Sequence, residues 1–192
     1  ADTLRGDAGE NVLNGNIGND ILEGRAGADS IIGASEFDIA AYTSSALGVT
    51  VDLTIVGAQG GAGDAAGDVL SSIEGLAGSR VADTLRGDAI ANSLFGDDGN
   101  DVLEGRAGAD TIDGGANTDT VSYASSTVGV TVNLGLTTAQ TSTGDASGDV
   151  LTNIENLIGS GQNDAITSAA GANAIDGLSL IHISEPTRLR RI

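Results

Sequence analysis

The apolar residues of this chain recur at intervals of nine, each framed by glycines and an aspartate. The segments GNIGNDILE from Gly15 and GRAGADSII from Gly24 fit Gly-x-x-Gly-x-Asp-x-apolar-x, as do GDDGNDVLE from Gly96 and GRAGADTID from Gly105. A fixed short period indicates a solenoid in which each repeat forms one rung. Glycine permits the positive φ that tight turns need. We therefore predict a solenoid with one apolar side chain per repeat in a narrow core.

A second, longer period lies above the first. The segment DTLRGD from Asp2 returns at Asp83, and Tyr42 maps onto Tyr123. This offset equals nine nonapeptides, so the nonapeptide frame is preserved from one copy to the next. The predicted organisation is two units, the start of a third and a short tail. Their bounds are residues 1–81, 82–162, 163–177 and 178–192.

Each unit has a regular part and a variant part, which we call the module. The regular nonapeptides span 6–41 and 87–122, and the modules span 42–81 and 123–162. Apolar residues alternate with polar ones early in each module, which predicts a half-buried strand. These residues are Val49, Val51 and Leu53 in the first unit and Val130, Val132 and Leu134 in the second.

The end of the first module, VLSSIEGLAGS, admits two secondary structures. Its apolar positions Leu70, Ile73 and Leu76 also suit one helical turn. We favour short solenoid strands, because the segment leads straight back into the nonapeptide frame at Gly78.

The charge balance favours cations as partners. The chain carries 27 acidic and 8 basic residues, a net charge of −19. Nucleic acids and anionic membranes bind basic surfaces, so neither is an expected partner. A solvated acidic surface is the plain alternative, but here aspartates stand at a fixed interval. Without cysteine there is neither a disulfide nor a thiolate site, which leaves oxygen as the ligand class.

Aromatic residues make up only 2% of the chain and hydrophobic residues 40%. A thin core of Leu, Ile and Val explains both values. The longest uncharged run, Thr120 to Gly144, is too polar to span a bilayer, so we expect no membrane insertion by this segment. No signal peptide is visible and the chain begins in mid-repeat, so we expect it to be an excerpt. We also expect the segment to be monomeric.

The last residues differ from the rest of the chain. LSLIHISEPTR from Leu178 looks like the translation of a sequencing adapter, and the following residues to Ile192 look like index sequence. The only proline, Pro186, and the only histidine, His182, lie here with three of the eight arginines. A natural basic terminal segment is the alternative. We exclude the tail from functional inference, which leaves 26 acidic and 5 basic residues, a net charge of −21.

The repeats resemble the RTX (repeats-in-toxin) hemolysin-type calcium-binding nonapeptides, whose pattern is G-G-x-G-x-D-x-U-x. The module from Ser122 to Ser160 resembles segments common in long bacterial RTX proteins. The resemblance covers nearly all of residues 1–177. It implies an all-β fold, a parallel β-roll or β-helix solenoid, in which six residues of each repeat form a turn and three form a strand. Two repeats complete one coil, so turns that are two repeats apart stack with calcium ions between them.

The resemblance also implies the calcium ligands. The expected stacked pairs are Asp20 with Asp38 and Asp101 with Asp119 on one edge, and Asn11 with Asp29 and Asn92 with Asp110 on the other. Asp2, Asp83 and Asp164 hold positions that could extend an edge. The motif glycines are Gly15, Gly18, Gly24, Gly27, Gly96, Gly99, Gly105 and Gly108.

Calcium fits the spacing of such a stack better than magnesium does. A cation midway between strands about 4.7–4.9 Å apart lies about 2.4 Å from each layer. Calcium–oxygen distances are about 2.3–2.6 Å, and magnesium needs about 2.0–2.1 Å. An EF-hand loop is absent from the sequence. A metal-free solenoid, in which the aspartates only cap turns, is the alternative; stacked carboxylates would repel one another in it.

Several repeats depart from the family pattern. Arg25 and Arg106 replace the second glycine, where arginine tolerates positive φ poorly and places positive charge beside the ions. Glu36, Val81, Ile90 and Asn117 replace the fourth glycine. Asn11 and Asn92 replace aspartates and lower the ligand charge. We expect weaker sites there.

The predicted function is calcium-dependent folding of a secreted or cell-surface protein from a Gram-negative bacterium. The family implies export by a type I secretion apparatus and folding in external calcium. A structural stalk in a surface or adhesin-like protein is our first expectation. A folding domain of a type I-secreted metalloprotease or lipase is the alternative. The segment has neither HExxH nor G-x-S-x-G, so we expect it to be no enzyme itself.

Overall fold

The protein is built almost entirely of short β-strands. The computed structural model describes residues 1–171 and 173–179 and the backbone of 181–184. The strands are β1 (Thr3–Arg5), β2 (Val12–Ile17), β3 (Ile21–Glu23), β4 (Ser30–Ser35), β5 (Ile39–Ala41), β6 (Thr50–Asp52), β7 (Val69–Ser71), β8 (Gly75–Ala77), β9 (Thr84–Arg86), β10 (Ser93–Phe95), β11 (Asp98–Gly99), β12 (Val102–Glu104), β13 (Thr111–Asp113), β14 (Ala116–Asn117), β15 (Thr120–Ser122), β16 (Thr131–Asn133), β17 (Val150–Thr152), β18 (Asn156–Ile158), β19 (Asp164–Thr167), β20 (Ile175–Asp176) and β21 (Ile181–Ser184). A 3₁₀ turn spans Gly144–Ala146.

Most strands are three residues long, because only the middle residue of each rung faces the core. Leu22 in β3, Leu85 in β9 and Ile112 in β13 are fully buried. Successive side chains on a strand point to opposite faces, so one apolar residue per repeat fills the interior. The core is a column of Leu, Ile and Val with two buried tyrosines, Tyr42 and Tyr123.

The rungs pair in parallel with an offset of two nonapeptides, as the prediction of two repeats per coil requires. Leu4 lies beside Leu22, and Leu22 lies beside Ala40. One face of the coil is a seven-stranded sheet of order β1-β3-β5-β8-β10-β13-β17. The other face carries a six-stranded sheet, β20-β18-β15-β12-β9-β6, and the shorter sheet β2-β4-β7, whereas the shorter sheet β16-β19-β21 lies on the face of the seven-stranded sheet. The predicted parallel β-roll is confirmed.

Equivalent strands of the two units lie on different faces of the coil. Strands β10 and β13 of the second unit correspond to β2 and β4 of the first, yet they continue the sheet of β1, β3 and β5. From β1 the chain makes three coils to β8, through β3 and β5, and β9, the counterpart of β1, is the next strand on the other face. The second unit therefore starts half a coil out of phase with the first.

The modules keep the roll continuous. The alternating segments form β6 and β16, with Val49, Val51, Val130 and Val132 buried, which confirms the predicted half-buried strand. VLSSIEGLAGS forms β7 and β8, so the preference for strands over a helical turn is also confirmed. In the part of the chain that the structure describes, no helix is long and apolar enough to cross a membrane.

A loop closes back on each module strand through one glutamine. The amide of Gln59 accepts from the N–H of Asp52 and donates to its carbonyl, at 2.9 and 3.0 Å. Gln140 makes the same two bonds to Asn133 in the second unit, at 2.8 and 3.0 Å. Both glutamines are buried. The glutamine side chain therefore makes the backbone hydrogen bonds that a neighbouring strand would otherwise make, and these bonds hold the loop.

Part of the predicted foreign tail lies within the described residues. Leu178 and Ser179 form a bend, and the backbone of Ile181–Ser184 pairs in parallel with β19. Residues 185–192 and the side chain of His182 lie outside the described residues. The origin of the tail stays a prediction.

Candidate metal centre

The acidic residues that end each turn form two ladders along the edges of the roll. The backbone N–H of Asp20 donates to Oδ1 of Asp38 over 2.8 Å. The same bond, also 2.8 Å, joins Asp101 to Asp119, Asn11 to Asp29 and Asn92 to Asp110. The structure thus brings together all four residue pairs that the sequence placed two repeats apart; their role as ligands stays a prediction. Asp2 extends the first ladder through its N–H, which donates to Oδ1 of Asp20.

The second carboxylate oxygen of six aspartates has no hydrogen-bond partner. Each of these side chains is buried, with at most 1% of its surface exposed. The six are Asp20, Asp29, Asp38, Asp101, Asp110 and Asp119, each through Oδ2. A buried carboxylate oxygen without a donor is costly, and more so when others like it lie one rung away. These six oxygens are therefore the candidate ligands for cations.

The turns of these six aspartates share one backbone conformation. Counting from the first glycine of each motif, the residues at positions two and four both have positive φ. At position two, these residues are Asn16, Arg25, Ala34, Asp97, Arg106 and Gly115; at position four they are Gly18, Gly27, Glu36, Gly99, Gly108 and Asn117. We call these six turns the open turns. Arg25 and Arg106 adopt φ values of 70° and 68° despite the poor tolerance expected for arginine.

Four other turns cap themselves. In them the N–H at position two donates to the side chain at position six: Asp7 to Asn11, Ser79 to Asp83, Asp88 to Asn92 and Ser160 to Asp164, at 2.6 to 2.9 Å. None of these four described turns has a left-handed residue at position two or four. Their side-chain oxygens are already satisfied, so Asn11, Asn92, Asp83 and Asp164 are poorer candidates for ligands than the residues of open turns.

The first glycine of each open turn leaves room for the free oxygen. A Cβ at Gly15 would lie 2.7 Å from Oδ2 of Asp20 and 2.8 Å from the carbonyl oxygen of Gly33 on the next rung. Gly96 faces Asp101 and Gly114 in the same way, and Gly24 and Gly105 face Asp29 and Asp110. At Gly15 and Gly96 the carboxylate and a carbonyl of the next turn thus converge on a space that any side chain would fill.

Carbonyl oxygens must complete any cation site here. Among the described residues, no group of three or more acidic, histidine or cysteine side chains is placed to hold a metal. Calcium accepts backbone carbonyls together with carboxylates in flexible geometry, whereas magnesium needs near-ideal octahedral coordination. The free Oδ2 atoms and the neighbouring carbonyls therefore fit calcium.

Burial raises the pKa of several ladder carboxyls. The pKa of Asp101 and of Asp110 rises to about 7, because burial disfavours the charged form and neighbouring carboxylates repel it. Burial raises the pKa of Asp29 and Asp119 as well. Hydrogen bonds from the adjacent rung act in the opposite direction without cancelling burial. A bound cation would reverse this effect and keep the carboxylates charged.

The charge of Arg106 is matched by a carboxylate of the preceding module. Its two terminal nitrogens each lie 2.7 Å from an oxygen of Asp52. Burial alone would raise the pKa of Asp52, but these bonds hold it well below its usual range. Arg25 is exposed. The two arginines thus differ in how much positive charge they bring to their turns.

The nonapeptide pattern did not predict the residues through which the modules join the ladders. Asp68 and Asp149 accept the N–H of Asp29 and Asp110, at 2.8 and 3.0 Å. Glu74 accepts the N–H of Asp38 at 3.0 Å, and its counterpart Glu155 makes the same contact in the second unit. These four residues do not follow their partners at the interval of two repeats. Their recurrence from one unit to the next was the available signal.

Comparison with known families agrees with this geometry. The model of the RTX calcium-binding nonapeptide repeat matches four times, at residues 1–38, 77–108, 86–121 and 150–179. Together these matches cover more than half of the chain. No curated protein matches the chain.

Proposed function

Because this chain belongs to the RTX calcium-binding nonapeptide repeat family, we propose that it folds upon calcium binding outside the cell and serves as a rigid stalk segment of a bacterial surface or adhesin-like protein. As a member of that family it is a calcium-binding β-roll that takes several ions. Such repeats are typical of secreted proteins. The six buried Oδ2 atoms without a donor are the observation on which the folding proposal rests.

Calcium binding would offset the free-energy cost of burying these oxygens. Without cations, folding would bury carboxylates against one another in a chain of net charge −19. The core supplies only one apolar residue per rung, which leaves little hydrophobic free energy to offset this cost. Ions that bind the folded turns and not the unfolded chain lower the free energy of the fold by their binding free energy. Export through a type I secretion apparatus at low internal calcium would then precede folding.

The continuity of the sheets supports the stalk. Strand β8 at the end of the first module pairs with β5 on one side and β10 of the next unit on the other. The seven-stranded sheet therefore passes through the module and across the unit boundary without interruption. Units joined in this way form one continuous rod and not a chain of separately folded domains. The alternative, a folding domain of a secreted metalloprotease or lipase, would be supported by a catalytic motif encoded in the adjoining gene sequence.

Calcium titration of the calcium-stripped chain tests the folding proposal. We expect far-ultraviolet circular dichroism to show β-structure only as calcium is added, with magnesium as the control. Small-angle X-ray scattering should report an expanded chain in chelator and an elongated rod in calcium. A chain already rich in β-structure in chelator, or equally responsive to magnesium, would contradict calcium-dependent folding. A compact sphere in calcium would contradict the stalk.

A further inference from the structure

Four of the open turns face a module and not another nonapeptide, and in two of them, those of Asp38 and Asp119, a glutamate takes the place of the next aspartate. Asp38 is followed in its ladder by the turn at Ser72 to Glu74, and Asp119 by the turn at Asn153 to Glu155. Both aspartates are fully buried, and both have an Oδ2 without a donor. The nonapeptide spacing assigns no partner to these two oxygens, because no aspartate follows two repeats later.

A carbonyl oxygen of the module converges on each free carboxylate oxygen. A Cβ at Gly33 would lie 2.6 Å from Oδ2 of Asp38 and would also contact the carbonyl oxygen of Ser72. At Gly114 the same position is 2.7 Å from Oδ2 of Asp119 and contacts the carbonyl oxygen of Asn153. These contacts repeat those that Gly15 makes with Asp20 and Gly33. We call the place where one of these two nonapeptide turns meets its module a seam; the two seams join residues 33–38 to 72–74 and residues 114–119 to 153–155. Each seam thus reproduces the oxygen pair of a nonapeptide site, one carboxylate oxygen and one carbonyl oxygen.

Ser72 and Asn153 hold that carbonyl in place through a left-handed backbone. Their φ values are 51° and 52°. The acid of a nonapeptide turn stands five positions after the first carbonyl, as Asp38 does after Gly33, whereas Glu74 stands only two positions after Ser72. Glutamate is one methylene longer than aspartate. The longer side chain lets Glu74 reach the ladder from a shorter turn.

Each glutamate brings a second negative charge to a seam. One oxygen of Glu74 accepts the N–H of Asp38 at 3.0 Å, and one of Glu155 accepts that of Asp119 at 2.9 Å. That is the bond which an aspartate Oδ1 makes elsewhere in the ladder. The seam therefore collects two carboxylates and a carbonyl, all of them acceptors. Without a cation these oxygens repel one another, and together they attract a hard cation.

We propose that Glu74 and Glu155 complete one additional calcium site at each seam between nonapeptides and module. The first site would use Oδ2 of Asp38, the carboxylate of Glu74 and the carbonyl of Ser72. The second would use the corresponding groups of Asp119, Glu155 and Asn153. This proposal rests on the proposed calcium-dependent folding and adds a site that the nonapeptide pattern does not contain. Ions there would tie each module to its repeats.

The test counts bound calcium in Glu74→Gln, Glu155→Gln and the double variant of the full chain. Glutamine keeps a carbonyl oxygen to accept the backbone N–H, so a merely structural glutamate would lose no ion. We expect native mass spectrometry to show one ion fewer for each single variant and two fewer for the double variant. Glu10→Gln, at an exposed position, is the matched control and should retain every ion.

The outcomes separate the two proposals. If the double variant binds as many ions as the wild type with the same affinity, the seam sites are refuted while calcium-dependent folding stands. If the wild type binds no calcium, the proposed function itself is refuted.

Discussion

The hydroxyl of Tyr42 donates a hydrogen bond to Oδ2 of Asp68 over 3.2 Å, deep in the first module. Tyr123 and Asp149 repeat the contact at 2.9 Å in the second. Asp68 and Asp149 hold ladder positions, and the tyrosine satisfies the oxygen that open turns leave free. At this end of the ladder a tyrosine of the core therefore donates to the carboxylate oxygen.

Replacing both tyrosines with phenylalanine should destabilise the calcium-loaded protein. Asp68 and Asp149 are fully buried, and each would lose the donor to its Oδ2. Leaving a buried acceptor unsatisfied costs about 1–3 kcal/mol. We expect each of the variants Y42F and Y123F to lower the free energy of unfolding by about that amount, measured by denaturant titration in saturating calcium. An unchanged denaturant midpoint would mean that the carboxyl is protonated or that another group donates a hydrogen bond to it.

Asp101 and Asp83 lie one rung apart and should differ in their effect on calcium binding. Oδ2 of Asp101 is free, whereas that of Asp83 accepts from Ser79 over 2.6 Å. We expect Asp101→Asn to raise the calcium concentration at the folding midpoint several-fold. Asp83→Asn should shift it much less. Equal shifts in the circular dichroism titration would contradict the distinction between open and self-capped turns.

Alanine at Gly15 should impair folding in calcium, because its Cβ would lie 2.7 Å from Oδ2 of Asp20. That distance is shorter than a carbon–oxygen contact permits, and the opposing carbonyl of Gly33 is backbone. Gly60 is the matched control, since a Cβ there would meet nothing within 4 Å. We expect Gly15→Ala to raise the calcium midpoint and Gly60→Ala to leave it in place. If Gly15→Ala had the same calcium midpoint as the wild type, the cation would have to lie elsewhere.

Acidification should favour the calcium-free fold. The folded pKa of Asp101 and Asp110 is about 7, above the value of about 3.9 for an unfolded aspartate. The folded state therefore binds more protons between these values, and its stability falls as pH rises through 7. We expect calcium-stripped protein to gain β-structure from pH 7.5 to 5.5, above the isoelectric point of about 4.1.

Calcium and protons should both favour the fold, because each neutralises the same buried carboxylates. The calcium concentration at the folding midpoint should therefore be lower at pH 5.5 than at pH 7.5. A calcium midpoint that does not change with pH would show that the buried carboxyls take up no proton when the chain folds without calcium.

Glycine at Arg25 should tighten calcium binding more than glycine at Arg106. Both substitutions relieve a left-handed φ and remove a positive charge. At Arg106 the variant also loses the paired hydrogen bonds to Asp52, so part of the gain is cancelled. Isothermal titration calorimetry of the two variants would measure the difference. A larger gain at Arg106 would show that its ion pair does not support the fold.

The nonapeptide pattern was enough to predict the coil. Leu22 and Ala40 lie side by side because two repeats make one turn of the roll, and the pattern states that interval directly. The stacking of Asp20 on Asp38 follows from the same interval. Local sequence was a poorer guide to the turns. Asp83 and Asp101 both hold the aspartate position of the motif, yet only Asp101 keeps a free oxygen, because Ser79 donates its N–H to Oδ2 of Asp83.

Sequence by itself determined the period, the parallel coil and the acid at each turn, because these depend on residue type at fixed spacing. Tertiary structure alone decided which carboxylate oxygens stay without a donor, since this depends on backbone φ and on groups from distant rungs. It also brought Glu74 beside Asp38 and Tyr42 beside Asp68. Those contacts join positions far apart in the chain, and only the path of the module through the coil sets them.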